Sequence, residues 1–340
     1  MALFRRTPTL LGIDLGSESI KAVEAIREKD RLRVVGFGKV ELPSPEARAD
    51  ALNDLLKHCS FKTRRVATSV SGRSVIVRYL NMVDIPDENL KTAIRFEADR
   101  YIPFDLNEVV LDCHRIEDAP GVGANEMKLL LVAVKKDVVQ EQVKLVQAAG
   151  LQPEIVDVDA FALGNAFALG GPTYEMAAGK VVALVDVGAT KTVVDIVRGG
   201  ESYFTREVYV GGNEITNAIA KRFGLETFEG EQLKRQPASR EQEIAEAVLP
   251  SIEDLGNEIQ LSFDYYENQS DSKVEDVFVS GGGSRVPGLE ETFERIFERR
   301  TMTWNPLEGF DLDEGLDHQA LLECAPALAV AAGLAARAGA

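Results

Sequence analysis

The chain has 340 residues, enough for about two domains of ordinary size, each with its own hydrophobic core. Its 38 basic and 55 acidic residues give a net charge of −17, which repels phosphate backbones and excludes a general nucleic-acid binder. An apolar content of 45% with 27% charged residues is typical of a folded globular protein and excludes a largely disordered one.

The three cysteines, Cys59, Cys113 and Cys324, lie far apart. Their odd number and the lack of a Cys-x-x-Cys pair favour reduced thiols over a disulfide framework or a zinc site. The first residues lack the apolar core of a signal peptide, and the most apolar stretch is interrupted by Pro326 and Gly333 and is too short to span a bilayer. We therefore expect a cytoplasmic chain without a transmembrane span.

The first predicted element is a strand–turn–strand unit at residues 10–21. An apolar strand ends in an Asp-x-Gly sequence at Asp14 and Gly16, and a second β-rich run follows. Glycine lets a turn approach a ligand closely, and successive backbone N–H groups form a concave nest for phosphate oxygens, to which Ser17 and Ser19 add hydroxyl donors. The alternative for a single Asp-x-Gly sequence is a plain hairpin turn.

Residues 63–150 interrupt the first half of the chain with their own strands and helices, which predicts a small inserted α+β subdomain. One helix runs from Asp87 to Tyr101, carries apolar residues at helical spacing and ends before Pro103. Its apolar face is predicted to be core. The predicted strands of this insert are Val66–Val70, Val75–Leu80, Val109–Ile116 and Lys128–Val134.

A second strand–turn–strand unit at residues 184–193 repeats the first, with Asp186 and Gly188 in the places of Asp14 and Gly16. Two copies, one in each half of the chain, argue against the plain-turn alternative. Magnesium keeps most of its waters, so two carboxylates at strand ends suffice to hold a hydrated Mg²⁺ across a cleft. We therefore predict that the two aspartates form a metal site together.

Two further features follow the second hairpin, at residues 211–234. Gly211 and Gly212 follow a strand and open a helix that Gly224 ends. Farther along, Glu231 and Lys234 lie one helical turn apart. Two interpretations stay open for this pair: contact with a nucleotide, or a solvated i,i+3 ion pair.

A third glycine-rich site, Gly281, Gly282 and Gly283, follows a short apolar strand and precedes a predicted helix. Its bare backbone suits a ribose or base lying flat against it, and the alternative is a flexible strand-to-helix turn. The G-x-G-x-x-G dinucleotide fingerprint fails here, because Val286 stands at the position of the last glycine. This argues against an oxidoreductase on a doubly wound sheet.

The segment 94–112 reads IRFEADRYIPFDLNEVVLD and resembles a stretch characteristic of the PilM family of type IV pilus assembly. With the paired Asp-x-Gly turns, the adjacent glycines and an alanine-rich C-terminal helix, the chain resembles this family over residues 8–335. The family is related to the cell-division protein FtsA and belongs to the actin, Hsp70 and sugar-kinase superfamily. The resemblance implies an α/β, actin-like (ribonuclease H-like) fold of two lobes that close on ATP and Mg²⁺, each with a five-stranded sheet.

The resemblance also implies how the chain is divided. Residues 156–163 and 325–335 correspond to two connecting helices, whose small side chains let them pack closely at a hinge. The insert corresponds to the extra subdomain that PilM and FtsA share. The implied parts are a first lobe (1–62, 151–175 and 322–340), the insert (63–150), a second lobe (176–212 and 262–321) and a helical subdomain of the second lobe (213–261).

Motif matching with the family implies a set of nucleotide-binding residues in the two hairpins, the Gly-Gly turn beside the ribose, the adenosine loop and a base-proximal lysine. Asp14 and Asp186 are the implied metal residues. The full set is Asp14, Gly16, Ser17, Glu18, Ser19, Lys21, Asp186, Gly188, Ala189, Thr190, Lys191, Thr192, Gly211, Gly212, Lys234, Gly281, Gly282, Gly283 and Ser284.

Two residues bear on catalysis. The resemblance places Asp157 near an acid or amide that orients the attacking water, and the alternative is an N-cap of the following helix. Lys191 stands where relatives often have threonine, so a cation meets the terminal phosphates, which favours retention of ATP over rapid hydrolysis. We therefore expect nucleotide binding with weak or no ATPase activity. The alternative is an active ATPase or small-molecule kinase of the same fold.

The resemblance implies a partner as well. In PilM, the first lobe and the insert form a groove for the N-terminal cytoplasmic tail of PilN, an inner-membrane protein. An extended tail in such a groove gains main-chain hydrogen bonds and apolar pockets, and an acidic chain suits a tail with basic residues. We therefore expect a cytoplasmic scaffold at the inner membrane, held there through partners that include a PilN-like protein and other pilus assembly components, with self-association as a further expectation.

Overall fold

The computed structural model describes residues 8–117, 122–123 and 125–339. Regular structure covers most of these residues, in alternating runs of strands and helices. The strands are β1 (Thr9–Leu15), β2 (Ser19–Glu28), β3 (Arg31–Glu41), β4 (Arg65–Val70), β5 (Val75–Val83), β6 (Val109–Ile116), β7 (Glu126–Lys135), β8 (Gln152–Val158), β9 (Val181–Val187), β10 (Thr192–Arg198), β11 (Glu201–Val208), β12 (Asp276–Ser280), β13 (Arg300–Thr303) and β14 (Asp311–Leu312).

The helices connect these strands and cover the sheets. Short 3₁₀ turns at Pro45–Ala47, Ala98–Arg100 and Ala325–Leu328 adjoin four of them. The α-helices are α1 (Arg48–His58), α2 (Asp87–Glu97), α3 (Lys136–Ala148), α4 (Asp159–Ala168), α5 (Pro172–Met176), α6 (Gly212–Phe223), α7 (Thr227–Arg235), α8 (Glu241–Gln269), α9 (Leu289–Phe297), α10 (His318–Cys324) and α11 (Ala329–Ala335).

Each lobe is built on a mixed sheet with the same plan at its centre. The first-lobe sheet has the order β14-β3-β2-β1-β4-β8, and the second-lobe sheet has the order β11-β10-β9-β12-β13. In both, a hairpin (β1–β2 or β9–β10) is followed by a parallel neighbour of its first strand, β4 or β12. The predicted five strands are found in the second lobe. The first has a sixth, since β14 pairs with β3 although residues 311–312 were assigned to the second lobe.

The insert forms a separate three-stranded antiparallel sheet with the order β5-β7-β6. Helix α2 packs its apolar residues, among them Leu90 and Ile94, on one face of this sheet. The strand predicted at Val66–Val70 does not belong to the insert, because β4 pairs with β1 and β8 in the first lobe. Residues 66–70 are all buried, as expected for a parallel strand covered on both faces.

Helices α4 and α11 pack closely between the lobes, as the small residues predicted. A Cβ atom on Gly333 would lie 1.6 Å from the carbonyl oxygen of Ala162, and one on Gly12 would lie 2.1 Å from that of Ala331. Larger side chains would therefore force the helices and β1 apart. By length and composition alone, one stretch of the described residues, His318–Ala335, is apolar enough to cross a membrane, and 61% of it is buried inside the fold.

Candidate functional site

A cleft with a volume of about 1520 Å³ separates the two lobes. Both Asp-x-Gly turns and the loop after β12 reach it, because each follows the end of a central strand, and the start of α6 reaches it from the end of the edge strand β11. Most of the predicted nucleotide-binding residues line this cleft. They are Asp14, Gly16, Ser17, Glu18, Ser19, Lys21, Asp186, Gly188, Ala189, Thr190, Lys191, Gly212, Lys234, Gly282 and Gly283.

The two hairpin turns face each other across the cleft. The hydroxyl of Thr190 in the second lobe donates a hydrogen bond of 3.1 Å to that of Ser17 in the first. Beside it, the side-chain amide of Asn213 donates to Glu18 at 3.3 Å. The repeated sequence therefore marks two turns that meet at one site, as the anion-cradle interpretation requires.

The two aspartates of the hairpins differ in their surroundings. Asp14 forms an ion pair of 2.9 Å with Lys21, which lies opposite it on β2. Asp186 accepts a hydrogen bond of 2.9 Å from Ser280, its neighbour on β12. Burial raises the pKa of Asp186 to about 6, with a further rise from the charge of Asp14, against the lowering effect of Ser280.

Lys21 keeps its charge despite burial. Burial lowers its pKa, but the charge and hydrogen bond of Asp14, with smaller contributions from Asp186 and Asp159, raise it by more, so the net shift is upward. Lys21 thus lies in the cleft as a cation among several carboxylates. Within the residues that the structure describes, no group of three or more His, Cys, Asp or Glu side chains is placed to hold a metal ion by itself.

Lys191 lies in the second hairpin turn and is already paired on both sides of the cleft. Its ammonium group is 3.0 Å from Asp159, at the start of α4, and 2.8 Å from Glu207 on β11. Burial lowers its pKa, but these two carboxylates raise it by more. The lysine therefore lines the cleft as a charged group, held by two acids that sequence reasoning missed.

The structure places Asp157 away from the cleft. Its carboxylate is 2.8 Å from Arg337 and accepts the backbone N–H of Val158 at 2.9 Å. The N-cap of α4 is Val158 and not Asp157, so neither interpretation of this residue fits. Asp159, two residues later, is the acid that lines the cleft. Both lie in one Asp-x-Asp sequence, and the first turn of the helix directs the second acid toward the cleft.

Four other predicted residues lie behind the residues that line the cleft. Gly281 adopts φ +90° and a Cβ there would lie 2.4 Å from the carbonyl oxygen of Val187, while Ser284 is buried and donates to the carbonyl of Gly281. Thr192 donates to the carbonyl of Val210. Gly211 donates its N–H to Glu214 at 2.9 Å. These residues shape the loop after β12 and the Gly-Gly turn without facing the cavity.

The ion-pair interpretation of Lys234 is right about the partner and wrong about its surroundings. It does pair with Glu231, but the pair is not solvated: Lys234 is buried, and it donates to Thr216 at 2.7 Å and to the carbonyl of Gly212 at 3.1 Å. Burial lowers its pKa, against the opposing effect of Glu231. The lysine lines the cleft and fixes α7 to the N-terminus of α6.

A further contact across the cleft was not predicted. Arg235 at the end of α7 binds Glu41 at the end of β3 through two hydrogen bonds, of 3.0 and 3.1 Å. Such a two-pronged pairing is the strongest geometry for these groups. It ties the helical subdomain of the second lobe to the first lobe.

The sequence profile of the family described as Type IV pilus assembly protein PilM matches residues 12–339. The chain belongs to the PilM family. Among solved structures, a chain of the PilM–PilN type IV pilus biogenesis complex has the same fold with a TM-score of 0.83 and 27% sequence identity, over 97% of this chain and 98% of that chain. The resemblance carried by the segment 94–112 is thus confirmed for nearly the whole chain.

More distant relatives of this PilM-family chain confirm the actin-like α/β fold. FtsA of Bacillus subtilis (strain 168) is 20% identical over 322 residues, which cover 85% of this chain and 66% of FtsA, so the chain spans about two thirds of that relative. MreB5 of Spiroplasma citri, in a structure bound to ADP, matches 96% of this chain and 95% of its own with a TM-score of 0.51 and 11% identity.

In this PilM-family chain the cleft continues past the hairpins toward the insert. The end of β4, the loop after it and helix α3 line this extension, with Ser69, Gly72 and Val138 among its residues. Gln142 on α3 donates two hydrogen bonds of 2.8 Å, to the hydroxyl of Thr68 and the carbonyl of Ser69, which fix the helix against β4. The extension therefore lies where the chain enters and leaves the insert.

Proposed function

We propose that this PilM-family chain binds ATP with Mg²⁺ between its lobes and is a scaffold of type IV pilus assembly that docks the cytoplasmic tail of a PilN-like inner-membrane protein. The observation that carries the nucleotide part is the contact of the two hairpins at Thr190 and Ser17, which aims two phosphate-binding turns at one cavity. The fold shared with nucleotide-bound MreB5 supports it.

The donor set of the cleft floor fits a hydrated magnesium ion. Asp14 and Asp186 both line the cavity, and their mutual repulsion contributes to the raised pKa of Asp186. A divalent cation between them would relieve that repulsion, and hard carboxylate oxygens acting through water are the ligands that Mg²⁺ prefers. When bound, the ion would neutralise charge on the phosphates, and these two aspartates would hold its waters.

The arrangement of acids supports slow turnover of the nucleotide. A general base for an attacking water must be free to accept a proton. Asp159 is occupied by Lys191, and Asp157 is occupied by Arg337 outside the cleft. We therefore propose nucleotide binding as the main role of the site, with Asp159, rather than Asp157, as the acid that faces the terminal phosphate.

The partner part rests on family membership and on the similarity to the PilM–PilN complex. The extension of the cleft beside Ser69 and Val138 offers a groove at the junction of first lobe and insert. Through its partner, the scaffold would act in the cytoplasm beside the inner membrane. The net charge of −17 suits a tail that carries basic residues.

The nucleotide part is tested by titrating a fluorescent ATP analogue with Mg²⁺ and with EDTA. We expect Asp14→Asn to weaken binding in Mg²⁺ by about tenfold, since one acid of the metal pair loses its charge. Asp54→Asn, an exposed acid on α1, is the matched control and should bind as the wild type does. Equal affinity of wild type and Asp14→Asn would remove the proposed site.

The partner part is tested separately by fluorescence anisotropy with a synthetic peptide of the N-terminal tail of a PilN-like protein. A peptide of scrambled sequence and the same charge is the control. We expect saturable binding of the native tail alone. Equal binding of both peptides would show a merely electrostatic attraction and would contradict a docking groove.

A further inference from the structure

The chain enters and leaves the insert from the first lobe, yet the three-stranded sheet of the insert packs on the second lobe. Helix α2 covers one face of that sheet, and the opposite face lies on β11. Each strand of the insert contributes one residue to the apolar cluster of the second lobe: Tyr79 on β5, Ile116 on β6 and Leu130 on β7. Side chains alternate between faces along a strand, so one small sheet serves two cores.

A chain of polar contacts crosses this interface. The hydroxyl of Tyr79 lies 2.6 Å from that of Ser202 on β11, and Ser202 in turn donates to the carboxyl group of Asp195 on β10. In the first of these bonds either hydroxyl can be the donor. These three residues are called the clasp below.

The inner end of the clasp lies beneath a helix that reaches the cleft. Asp195 is fully buried, and burial raises its pKa to about 8. Its second carboxyl oxygen has no hydrogen-bond partner within the described part of the chain and lies 3.1 Å from the place of a Cβ on Gly164 of α4. The same helix begins at Asp159, which binds Lys191 in the cleft.

A second link joins the cleft to the root of the insert. One carboxylate oxygen of Glu207 accepts both the ammonium group of Lys191, at 2.8 Å, and the backbone N–H of Gly72, at 2.9 Å. Next to it, the guanidinium group of Arg73 lies 5.1 Å from the ring centre of Tyr209. The residues that lead into the insert are therefore fixed to β11 and its end, at the edge of the cleft.

We propose that the clasp fastens the insert to the second lobe, so that the insert follows that lobe, and not the first, when the cleft opens or closes. The inference deepens the proposed function and rests on it for the effect of ATP. Its consequence is that the groove between insert and first lobe changes width with the angle between the lobes. Tail binding and nucleotide binding must then change each other's affinity by the same factor.

The clasp itself is tested without nucleotide, by hydrogen exchange of the free full-length protein. Tyr79→Phe removes one hydroxyl and keeps the ring, so the variant retains the packing of the interface. We expect the amides of β5 and β11 to exchange about fivefold faster, as for the loss of one net hydrogen bond. Tyr101→Phe, which removes an exposed hydroxyl of the insert, is the control. Equal exchange in the two variants would overturn the clasp.

The movement is tested by energy transfer between dyes on introduced cysteines, after replacement of the native ones. One pair joins the insert to the first lobe (Glu88→Cys with Asp54→Cys), and the other joins it to the second lobe (Glu88→Cys with Glu291→Cys). We expect ATP with Mg²⁺ to change transfer in the first pair alone, and in both pairs once Tyr79→Phe is added. A change confined to the second pair, or none in either with ATP bound, would overturn the proposal.

The failure of the proposed function gives a different result. If the fluorescent ATP analogue does not bind the wild type, the nucleotide site is wrong, while the exchange experiment still decides whether the clasp holds the insert. If ATP binds and the exchange rates change as expected but the first pair does not respond, the nucleotide site stands and the proposed movement is wrong.

Discussion

The hydroxyls of Ser17 and Thr190 lie 3.1 Å apart, although 173 positions separate them in the chain. The bond is exposed, and an exposed hydrogen bond between neutral groups stabilises a structure by about 1 kcal/mol or less. A phosphate entering between the two turns would replace it with charge-assisted bonds to the same hydroxyls. The contact therefore marks a place where the lobes meet but are easily separated by a ligand.

The first prediction concerns pH. The pKa of Asp186 is about 6, above its ordinary value, so in the free protein its ionisation costs stability as pH rises from about 4 to 6. The affinity for Mg²⁺ depends on pH in the opposite sense and rises with pH, because the ion binds the ionised form of Asp186. We expect the affinity for ATP with Mg²⁺ to rise about tenfold between pH 5 and pH 7 through this group, measured by titration at each pH.

The nucleotide has its own titrating phosphate, so this prediction needs a variant for comparison. Asp186→Asn keeps the shape and the hydrogen bond from Ser280 but removes the titrating group. Its pH profile should retain only the contribution of the nucleotide and be flatter than that of the wild type. Identical profiles for the two proteins would show that Asp186 does not take part.

The second prediction compares two adjacent glycines. Gly281 has a left-handed backbone and lies against Val187, whereas a Cβ on Gly282 meets nothing within 4 Å and the residue lines the cleft. We expect Gly281→Ala to lower the free energy of unfolding by about 2 kcal/mol or more, and Gly282→Ala to leave it unchanged within about 0.5 kcal/mol. Urea denaturation of both variants measures this difference.

The same pair separates folding from binding. Because the methyl group of Gly282→Ala would project into the cavity, we expect weaker binding of the ATP analogue at unchanged stability. We expect Gly281→Ala, in contrast, to be less stable but to bind the ATP analogue normally once it is folded. If both substitutions reduced stability equally, the loop would not have the conformation described.

The parts of the site that follow from local chemistry were predictable from the sequence. Both hairpins carry their turn residues and acids within a few positions, so a repeated Asp-x-Gly was enough to find Asp14 and Asp186. Asp157 does not line the cleft as expected, because the start of α4 decides which acid of the Asp-x-Asp sequence faces it, and a sequence pattern leaves that start uncertain by a residue or more.

The contacts between distant segments were not predictable in this way. The contact of Glu207 with Gly72 and the Glu41–Arg235 pair depend on the packing of segments that are 135 and 194 positions apart. The assignment of β4 to the insert failed for a related reason. Its apolar run reads equally well as a strand of either sheet, and only the pairing with β1 decides.

The third prediction concerns the pairing of Lys191. Its side chain is 21% exposed and lies between two carboxylates, so removing the charge takes the cationic partner away from two acids in a partly buried place. We expect Lys191→Met to lower the free energy of unfolding by about 2 kcal/mol. Lys57→Met, at a pair whose lysine is 71% exposed, should change it by less than about 0.5 kcal/mol. A Lys191 variant as stable as the Lys57 control would contradict the pairing.

The fourth prediction concerns the release of nucleotide. Glu41→Gln weakens the contact of the first lobe with Arg235 and leaves the bond of Arg235 to Glu231 in place. A lobe contact that has lost an exposed, two-pronged ion pair opens more easily, so we expect the ATP analogue to dissociate about threefold faster in stopped-flow displacement. The association rate should change little, since the two hairpin turns are unaltered.

Salt distinguishes this ion pair from a change in the shape of the cleft. Because the charges of Glu41 and Arg235 are about half exposed, added salt screens their attraction and should speed release from the wild type toward the rate of Glu41→Gln. Glu97→Gln, which breaks an exposed pair with Arg100 in the insert, is the matched control and should release nucleotide as the wild type does. The dissociation rates of wild type and Glu41→Gln should therefore converge at high salt. If their difference stayed the same, the substitution would act through packing, and the ion pair would not hold the lobes together.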